Sequence, residues 1–182
     1  MKDVSIYLAG GLFNAAERVH NSTLEKNLIE VARDMGINLQ TTLPQRTALK
    51  RYLPNENRFD VAGIVADCEV DAASHDYILC NLDGTDADSG TAVELGVARG
   101  QALAYQKLSR HLKTHRDVKI PKIITYRTDF RTSIENEVGV NAMLNPEGST
   151  FIYHPCFVTE LGEVESYYKE LASKITDVIQ KG

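Results

Sequence analysis

The chain has 182 residues, 43% of them hydrophobic and 25% charged, and its formal net charge is −5. A chain of this length can bury roughly 70% of its unfolded surface, so we expect a single domain over residues 1–182. The acidic balance argues against a nucleic-acid polymer as partner, because proteins that bind phosphate backbones usually carry a basic face. The most basic local cluster, Lys107–Lys122, is interpreted as a solvated loop.

Cysteine usage and hydropathy predict a cytoplasmic protein. The three cysteines, Cys68, Cys80 and Cys156, lack the spacing of a metal site, and their odd number favours a reducing compartment. The apolar run near the N-terminus is too short for a signal peptide. No run reaches the length of about 18 apolar residues that a membrane span needs, so no membrane partner is expected.

Short β-branched runs alternate along the chain with longer amphipathic stretches. Apolar runs predict strands at Val4–Ala9, Ile37–Leu39, Tyr77–Leu82, Ile120–Tyr126 and Thr150–Tyr153. Apolar residues at helical spacing predict helices at Glu17–Met35, Phe59–Ser74, Thr91–Lys107 and Glu163–Ile179. The polar stretch Leu43–Asn57 is predicted to be a surface loop. The alternation predicts a flavodoxin-like or Rossmann-like α/β domain, a doubly wound sheet of about five mainly parallel strands with helices on both faces.

The stretch Asn81–Gly100 leads from the third predicted strand, through a loop rich in aspartate, into a helix. Open α/β sheets bind ligands beyond the carboxyl ends of their strands, and Glu94 stands in the predicted first turn of this helix. Thr91 and Glu94 match a capping box, and the local pattern alone favours that role. The alternative is an ionised carboxylate, favoured by the helix N-terminus, that attacks the anomeric carbon of a sugar.

Asp88 lies six residues before Glu94 and is a candidate for binding a sugar hydroxyl. Gly90, between the two, allows a ligand to approach the backbone closely. The alternative for Asp88 is an ordinary turn or cap residue, a role in which aspartate is common.

The end of the first predicted strand supplies further candidates. Tyr7 either packs in the core or, if the first and third strands are neighbours, donates a hydrogen bond to Glu94. Gly10 and Gly11 would let a ligand reach the backbone, and Phe13 could pack against a base. The two glycines form neither a dinucleotide fingerprint nor a triphosphate-binding loop, so they do not support binding of a dinucleotide or a triphosphate. We expect no cofactor and no metal.

Three segments together resemble the nucleoside 2-deoxyribosyltransferase family: IYLAGGLF at residues 6–13, DSGTAVELGVARG at residues 88–100 and GVNAML at residues 139–144. The block D-S-G-T-x-x-E-L-G-x-A is the most specific part of the resemblance. It implies that Glu94 is the nucleophile that takes 2-deoxyribose as a covalent glycosyl-enzyme. It further implies that Tyr7 orients Glu94 and that Asp88 lies near the sugar hydroxyls.

The same resemblance implies roles for residues outside the specific block. Gln45, in the loop after the second strand, resembles a glutamine that contacts the base. Asn141 and Met143 fall on an N-x-M pattern that a neighbouring subunit contributes to the site, which implies a homo-oligomer. The family also carries an aspartate, on the helix before the third strand, that is proposed to exchange a proton with the base. Asp67 and Asp71 are the candidates here, neither at the usual spacing, and we take Asp67.

The implied reaction transfers 2-deoxyribose between nucleobases with net retention, from 2′-deoxynucleosides to free bases and without a cofactor. Two alternatives stay open. One is an N-glycosidase acting on deoxynucleoside 5′-monophosphates, whose phosphate would bind donors near Gly10, Gly11 or Ser89. The other is a non-catalytic nucleotide-binding domain in which Glu94 only caps its helix.

Overall fold

The structure is a computed structural model that describes residues 1–112, 118–131 and 139–182. The strands in these ranges are β1 (Lys2–Ala9), β2 (Ile37–Thr42), β3 (Tyr52–Leu53), β4 (Arg58–Phe59), β5 (Tyr77–Asn81), β6 (Lys122–Arg127) and β7 (Thr150–Tyr153). The α-helices are α1 (Ala15–Asp34), α2 (Pro44–Thr47), α3 (Val61–Ser74), α4 (Ser89–Leu112) and α5 (Val164–Lys181). Short 3-10 helices occur at Ala48–Arg51, Ala142–Leu144 and Leu161–Glu163.

The main sheet has five strands in the order β2-β1-β5-β6-β7, all parallel, while β3 and β4 form a separate antiparallel pair. Side chains alternate across β1, as the pleat of a strand requires. Val4, Ile6 and Leu8 pack in one core with α1 and α5. Tyr7 and Ala9 pack in a second core with α3 and α4. The sheet is therefore covered on both faces, and the predicted flavodoxin-like architecture is confirmed.

The strand order fixes where a ligand can enter. From β1 the chain crosses to β2 on one side and then returns to β5 on the other side of β1. This reversal is the topological switch point of the flavodoxin-like strand order, and ligands of such folds bind at the carboxyl ends of the strands there. The ends of β1 and β5 carry Gly10 and the loop after Asn81, which are the segments singled out by their sequence.

The predicted loop Leu43–Asn57 is wrong in part. Pro44 opens the short helix α2 at a position where its missing N–H costs nothing, and a 3-10 helix and β3 follow. Asn57, with a φ of 50°, makes the turn between β3 and β4. Such short elements bury too few apolar residues to produce a readable periodicity.

The end of α4 also differs from the sequence prediction. Helix α4 runs on to Leu112, so the first part of the basic cluster Lys107–Lys122 is helical, and residues 113–117 of that cluster lie outside the described residues.

Within the ranges that the structure covers, none of the helices combines the length and the apolar character that crossing a membrane would require.

Candidate active site

A cavity of about 710 Å³ opens at the carboxyl ends of β1 and β5, between the loop after β1 and the helices α2, α3 and α4. This volume suits a small organic ligand, because such pockets usually measure roughly 300–1,000 Å³. Its wall is mostly apolar. The polar side chains in the lining are Arg18, Gln45, Glu69, Asp88 and Glu94, and Cys68 adds a thiol.

Glu94 and Tyr7 meet at this cavity. The Tyr7 hydroxyl, in a side chain that is 0% exposed, donates to Oε1 of Glu94 at 2.7 Å. Burial and the charge of Glu94 hold the pKa of Tyr7 far above its usual value, so the phenol stays a donor. The predicted contact between the two residues is therefore present, because β1 and β5 are neighbours.

Burial raises the pKa of Glu94 to about 7. Hydrogen bonds from Tyr7 and the thiol of Cys68 oppose this shift, and the charges of Asp88 and Asp71 add to it. Desolvation therefore opposes the ionised form that was predicted for Glu94. The carboxyl group changes its protonation state near neutral pH.

The cap of α4 is Asp88 and not the predicted pair of Thr91 and Glu94. Oδ2 of Asp88 accepts from the backbone N of Thr91 at 2.8 Å and from its Oγ1 at 3.1 Å. The helix begins at Ser89, so Glu94 lies in its second turn, beyond the reach of the first amides. The predicted capping box is wrong for this reason, and Glu94 is left to bind Tyr7.

The loop after β1 closes one wall of the cavity. Asn14 and Glu17 cap α1 reciprocally, and Oε2 of Glu17 also accepts from the backbone N of Phe13 at 2.7 Å. A side chain at Gly11 would displace the Glu17 carboxylate from its cap, because an added Cβ would lie 2.8 Å from Cδ of Glu17. Phe13 is 82% exposed and lines the cavity together with Gly10. The loop thus presents an aromatic ring at the cavity mouth on a fixed backbone.

Gln45 lines the cavity from α2, with its amide bonded to the protein. The side chain is 7% exposed. Nε2 donates to the carbonyl of Arg18 at 3.2 Å and to Oγ of Ser22 at 2.8 Å. Oε1 accepts from Nδ2 of Asn21 at 3.3 Å. Gln45 thus lies beside the cavity while its amide ties α2 to α1, and its contact with a base stays a prediction.

The segments that build this cavity lie within a stretch of the chain that matches a known protein family. A family model described as nucleoside 2-deoxyribosyltransferase matches residues 6–143, well over half of the chain. The chain belongs to the nucleoside 2-deoxyribosyltransferase family. This membership indicates an enzyme of glycosyl transfer. The matched stretch includes the second half of β1, all residues that line the cavity and the whole of α4.

Solved structures share the fold of this family member at low sequence identity. A conserved protein from Enterococcus faecalis V583 is 18% identical, with 92% of this chain and 98% of that chain covered and a TM-score of 0.57. An oxidoreductase from Corynebacterium diphtheriae is 10% identical, with coverages of 100% and 98% and a TM-score of 0.50. An NAD(P)H:quinone oxidoreductase from Methanothermobacter marburgensis is 8% identical, with coverages of 96% and 98% and a TM-score of 0.50. No curated protein sequence matches the chain.

In this deoxyribosyltransferase-family protein, the two candidate proton donors on α3 differ in their surroundings. Asp67 accepts from Nε of Arg51 at 2.6 Å and from its Nη2 at 2.5 Å, and these bonds lower the pKa of Asp67. Burial instead raises the pKa of Asp71, whose charge acts on Glu94. Neither Asp67 nor Asp71 is among the residues that line the cavity. Cys68 lies on the face of α3 that lines the cavity, one helical turn after Ile64. It was not among the predicted site residues.

The N-x-M residues of the family pattern lie away from the cavity of their own chain. Asn141 caps the 3-10 helix Ala142–Leu144, with its Oδ1 accepting from the backbone N of Met143 at 2.9 Å. Met143 is 81% exposed. Of the two residues that open α4, Gly90 lines the cavity and Ser89 is exposed outside it.

A second, polar cavity of about 370 Å³ adjoins the first at Asp88. It is lined by Gly11, Glu17, Asn81, Asp83, Gly84, Thr85, Asp86, Asp88 and Arg131. Arg127, almost fully buried, donates to the carbonyls of Leu82 at 2.7 Å and Gly84 at 2.9 Å and so fixes the loop after β5. Across the part of the chain that the structure covers, no group of His, Cys, Asp and Glu side chains has the arrangement of a metal site.

Proposed function

We propose that this protein exchanges the 2-deoxyribosyl group between nucleobases through a covalent intermediate on Glu94. The observation that carries the proposal is the hydrogen bond from the buried Tyr7 hydroxyl to Oε1 of Glu94, in a mostly apolar cavity at the switch point of the sheet. Retaining glycosyl transfer needs a carboxylate nucleophile held at the anomeric carbon, and family membership supports that chemistry.

In the first half-reaction the base of a 2′-deoxynucleoside occupies the apolar cavity and the sugar lies over Glu94. The carboxylate attacks C1′ while the bond from C1′ to the base nitrogen breaks, and the electron pair of that bond leaves with the base. The departing base takes up a proton. Asp71 suits this role better than Asp67, because burial raises the pKa of Asp71 while Arg51 keeps Asp67 ionised.

In the second half-reaction an incoming base attacks C1′ of the glycosyl-enzyme from the side that the first base vacated. The bond from C1′ to the Glu94 oxygen breaks and the carboxylate is restored, while the N–H proton of the incoming base leaves and replaces the proton that Asp71 gave up. Two inversions give net retention. Water competes with the incoming base, so the apolar wall of the cavity favours transfer over hydrolysis.

Asp88 lies where the sugar hydroxyls would sit. One carboxylate oxygen, Oδ2, is used by the cap of α4, and the residue lines both cavities. A nucleoside has a flat base with weakly polar faces at one end and hydroxyls at the other. We therefore place the base in the apolar cavity and the sugar hydroxyls toward Asp88 and the polar cavity.

A second copy of this chain is proposed to complete the site. Several side chains that line the cavity are also strongly exposed, among them Phe13, Val61 and Val93, so the mouth of the cavity is an uncovered apolar surface. The exposed Met143 of a neighbour would supply an apolar cover. Light scattering on a size-exclusion column tests this: an oligomer that dissociates on Met143→Asp substitution supports the proposal, and a monomeric wild type overturns it.

The transferase activity is tested by incubating thymidine with adenine and measuring deoxyadenosine by chromatography. Wild type should form it, and Glu94→Ala should lose at least about 1,000-fold in rate, because the nucleophile is removed. Glu165→Ala, an exposed carboxylate on α5 across the sheet, is the matched control and should keep the wild-type rate. Undiminished turnover in Glu94→Ala would contradict the assigned nucleophile.

The second candidate is hydrolysis of deoxynucleoside 5′-monophosphates. Arg131 in the polar cavity is the observation in its favour, although its guanidinium is paired with Asp129 and the carboxylates of Glu17, Asp83 and Asp86 line the same space. These carboxylates repel a phosphate, so we put transfer first. Release of deoxyribose 5-phosphate from a monophosphate without any acceptor base would reverse that order. Ligand binding without any product would leave a non-catalytic binding domain.

A further inference from the structure

Arg18 places a positive charge on the wall of a mostly apolar cavity. It lies on α1, half-buried, and lines the cavity beside Leu12 and Gln45. Arg46 and Arg51 each pair with a carboxylate. By contrast, none of the ion pairs between described residues includes Arg18. No carboxylate in the described ranges therefore balances this charge at the cavity wall.

The guanidinium of Arg18 has hydrogen-bond donors to spare. It carries five N–H groups and no acceptor. Nη1 donates to the carbonyl of Leu12 at 3.2 Å, and Nε and Nη2 make no hydrogen bond with any residue that the structure describes. Both donors of the neighbouring Gln45 amide are engaged, by the carbonyl of Arg18 and by Oγ of Ser22. Because unpaired donors beside an apolar wall are costly to desolvate, this end of the cavity favours a ligand that supplies acceptors.

Arg18 lies at the end of the cavity away from Glu94. In the sheet, β1 separates β2 from β5. Helix α4, with Glu94, follows β5, while Gln45, whose amide donates to the carbonyl of Arg18, follows β2. Two strand spacings amount to about 10 Å. A base bonded to C1′ beside Glu94 extends away from the sugar along this span, so its outer edge points toward Arg18.

The outer edge of a purine differs between 6-oxo and 6-amino bases in the property that a guanidinium recognises. An oxygen at C6 and the ring nitrogen N7 are two adjacent acceptors, and arginine binds this pair through two N–H groups. A 6-aminopurine presents N7 beside an amino group, which is itself a donor. Arginine has no acceptor for that amino group, so one of its N–H groups would face another donor.

We infer that Arg18 selects 6-oxopurines over 6-aminopurines, by donating from its free N–H groups to O6 and N7 of the base. The inference rests on the proposed function, since it concerns the bases that Glu94 would exchange. The bonds that form and break are those of the two half-reactions given above. Arg18 gives up no proton and forms no covalent bond, so it acts on the choice of the base.

The first experiment compares two acceptors with thymidine as the donor. Hypoxanthine and adenine differ at C6, and kcat/KM is measured for each nucleoside product by chromatography. A bidentate arginine contact discriminates between bases by about 5–150-fold. We therefore expect hypoxanthine to be preferred by at least about fivefold. A smaller preference, or a preference for adenine, overturns the inference.

Substitution of Arg18 separates its contact from the intrinsic reactivity of the two bases. Arg18→Met keeps a long unbranched side chain and removes every donor, so the ratio of kcat/KM for hypoxanthine to that for adenine should fall by at least about fivefold. Arg33→Met, at an exposed arginine near the end of the same helix, is the matched control and should keep the wild-type ratio. A smaller fall in Arg18→Met, including an equal loss for both bases, overturns the inference.

Arg18→Lys keeps the test decisive should Arg18→Met fail to fold. Lysine retains the charge and the long stem, but its ammonium does not present two parallel N–H groups to a planar edge. The ratio should again fall by at least about fivefold. A ratio that stays near the wild-type value would contradict recognition through paired donors.

Calorimetric titration distinguishes failure of the inference from failure of the proposed function. Hypoxanthine and adenine are titrated into wild type and Arg18→Met, and thymidine 5′-monophosphate is added as a third ligand because a guanidinium also binds phosphate. Tighter binding of hypoxanthine in the wild type alone supports the inference. Equal binding of the two bases, with monophosphate affinity that depends on Arg18, overturns it. If neither base is transferred, the proposed function fails, while these titrations still decide whether Arg18 recognises the 6-oxo edge.

Discussion

Glu94 combines two properties that a nucleophilic carboxylate needs. It is partly buried in a mostly apolar cavity, which strengthens its interaction with a positive charge developing at C1′, and one of its oxygens is oriented by Tyr7 at 2.7 Å. Desolvation alone would keep the group protonated at neutral pH. The hydrogen bonds from Tyr7 and Cys68 pull its pKa back to about 7, where half of the molecules carry the nucleophile.

The Tyr7 hydroxyl should therefore set the pH dependence of the reaction. Since the nucleophile is the deprotonated form, kcat/KM for the donor should rise with pH through about 7 in the wild type. Tyr7→Phe removes a bond that lowers the pKa of Glu94, so this limb should move to higher pH and the rate at neutral pH should fall by about tenfold or more. A pH–rate profile of both proteins measures the shift, and an unmoved limb in Tyr7→Phe would contradict the role of Tyr7.

Glu94 should also cost the protein stability. Because its pKa is raised from 4.5 to about 7 on folding, the folded state is favoured below the unfolded value and loses stability as pH rises through about 7. Glu94→Gln removes the ionisable group, so near pH 8 it should stabilise the protein by up to about 3 kcal/mol. Near pH 4 the gain should vanish. Urea unfolding at both pH values measures the difference, and equal effects at both would argue against burial as the cause.

At the scale of the element, Asp88 has two roles at the start of α4. Asp88 caps the helix through Oδ2 and is proposed to bind a sugar hydroxyl. Asp88→Ala should lose both functions, with a decrease in the free energy of unfolding of about 1 kcal/mol. Asp88→Asn keeps a cap of similar quality, so its stability should stay near wild type while its KM for the nucleoside rises. Thermal unfolding and steady-state kinetics separate the two, and an Asn variant with unchanged KM would leave Asp88 a cap only.

The same helix shows why local patterns predict elements better than sites. The apolar spacing after Glu94 identified α4, but Thr91 and Glu94 matched a capping box equally well in sequence. Asp88 precedes both, and its short side chain reaches the amide of Thr91 once the loop after β5 is in place. That loop is held by Arg127, which lies on β6 and contributes no local signal to α4. A contact between residues so distant in the chain is set by the tertiary fold.

At the scale of the molecule, the five strands of the sheet and the four long helices followed from alternation of apolar runs alone. The meeting of Tyr7 and Glu94 was predicted on the condition that the first and third strands are neighbours, and the sheet meets that condition. The short elements β3 and β4, the ion pair of Asp67 with Arg51 and the place of Cys68 in the cavity wall were not predictable. β3 and β4 have only two residues each, and the weak amphipathicity of α3 does not specify which of its faces packs against α4.

A polar cluster on the opposite face of the sheet links α1, β6 and α5 and should limit acid stability. His20 on α1 bonds the hydroxyl of Tyr126 at 2.9 Å through Nε2 and that of Tyr168 at 2.8 Å through Nδ1. Burial lowers the pKa of His20, so the unfolded chain takes up a proton that the folded protein resists. Stability should therefore fall as pH decreases through about 6.5, the ordinary histidine value.

Glu94 and His20 change the free energy of unfolding in opposite directions as pH falls. The effect of His20 is therefore best measured in a protein that already carries Glu94→Gln. In that background, the urea concentration at the unfolding midpoint should be lower at about pH 5.5 than at about pH 7.5. His20→Asn should reduce this difference, because an amide does not titrate. Tyr168→Phe is the matched control: it removes one bond of the same cluster, so it should lower the midpoint at both pH values and leave the pH-dependent decrease intact. An unchanged decrease in His20→Asn would show that the acid sensitivity arises elsewhere, with the buried His154 on the same face of the sheet as the next histidine to test.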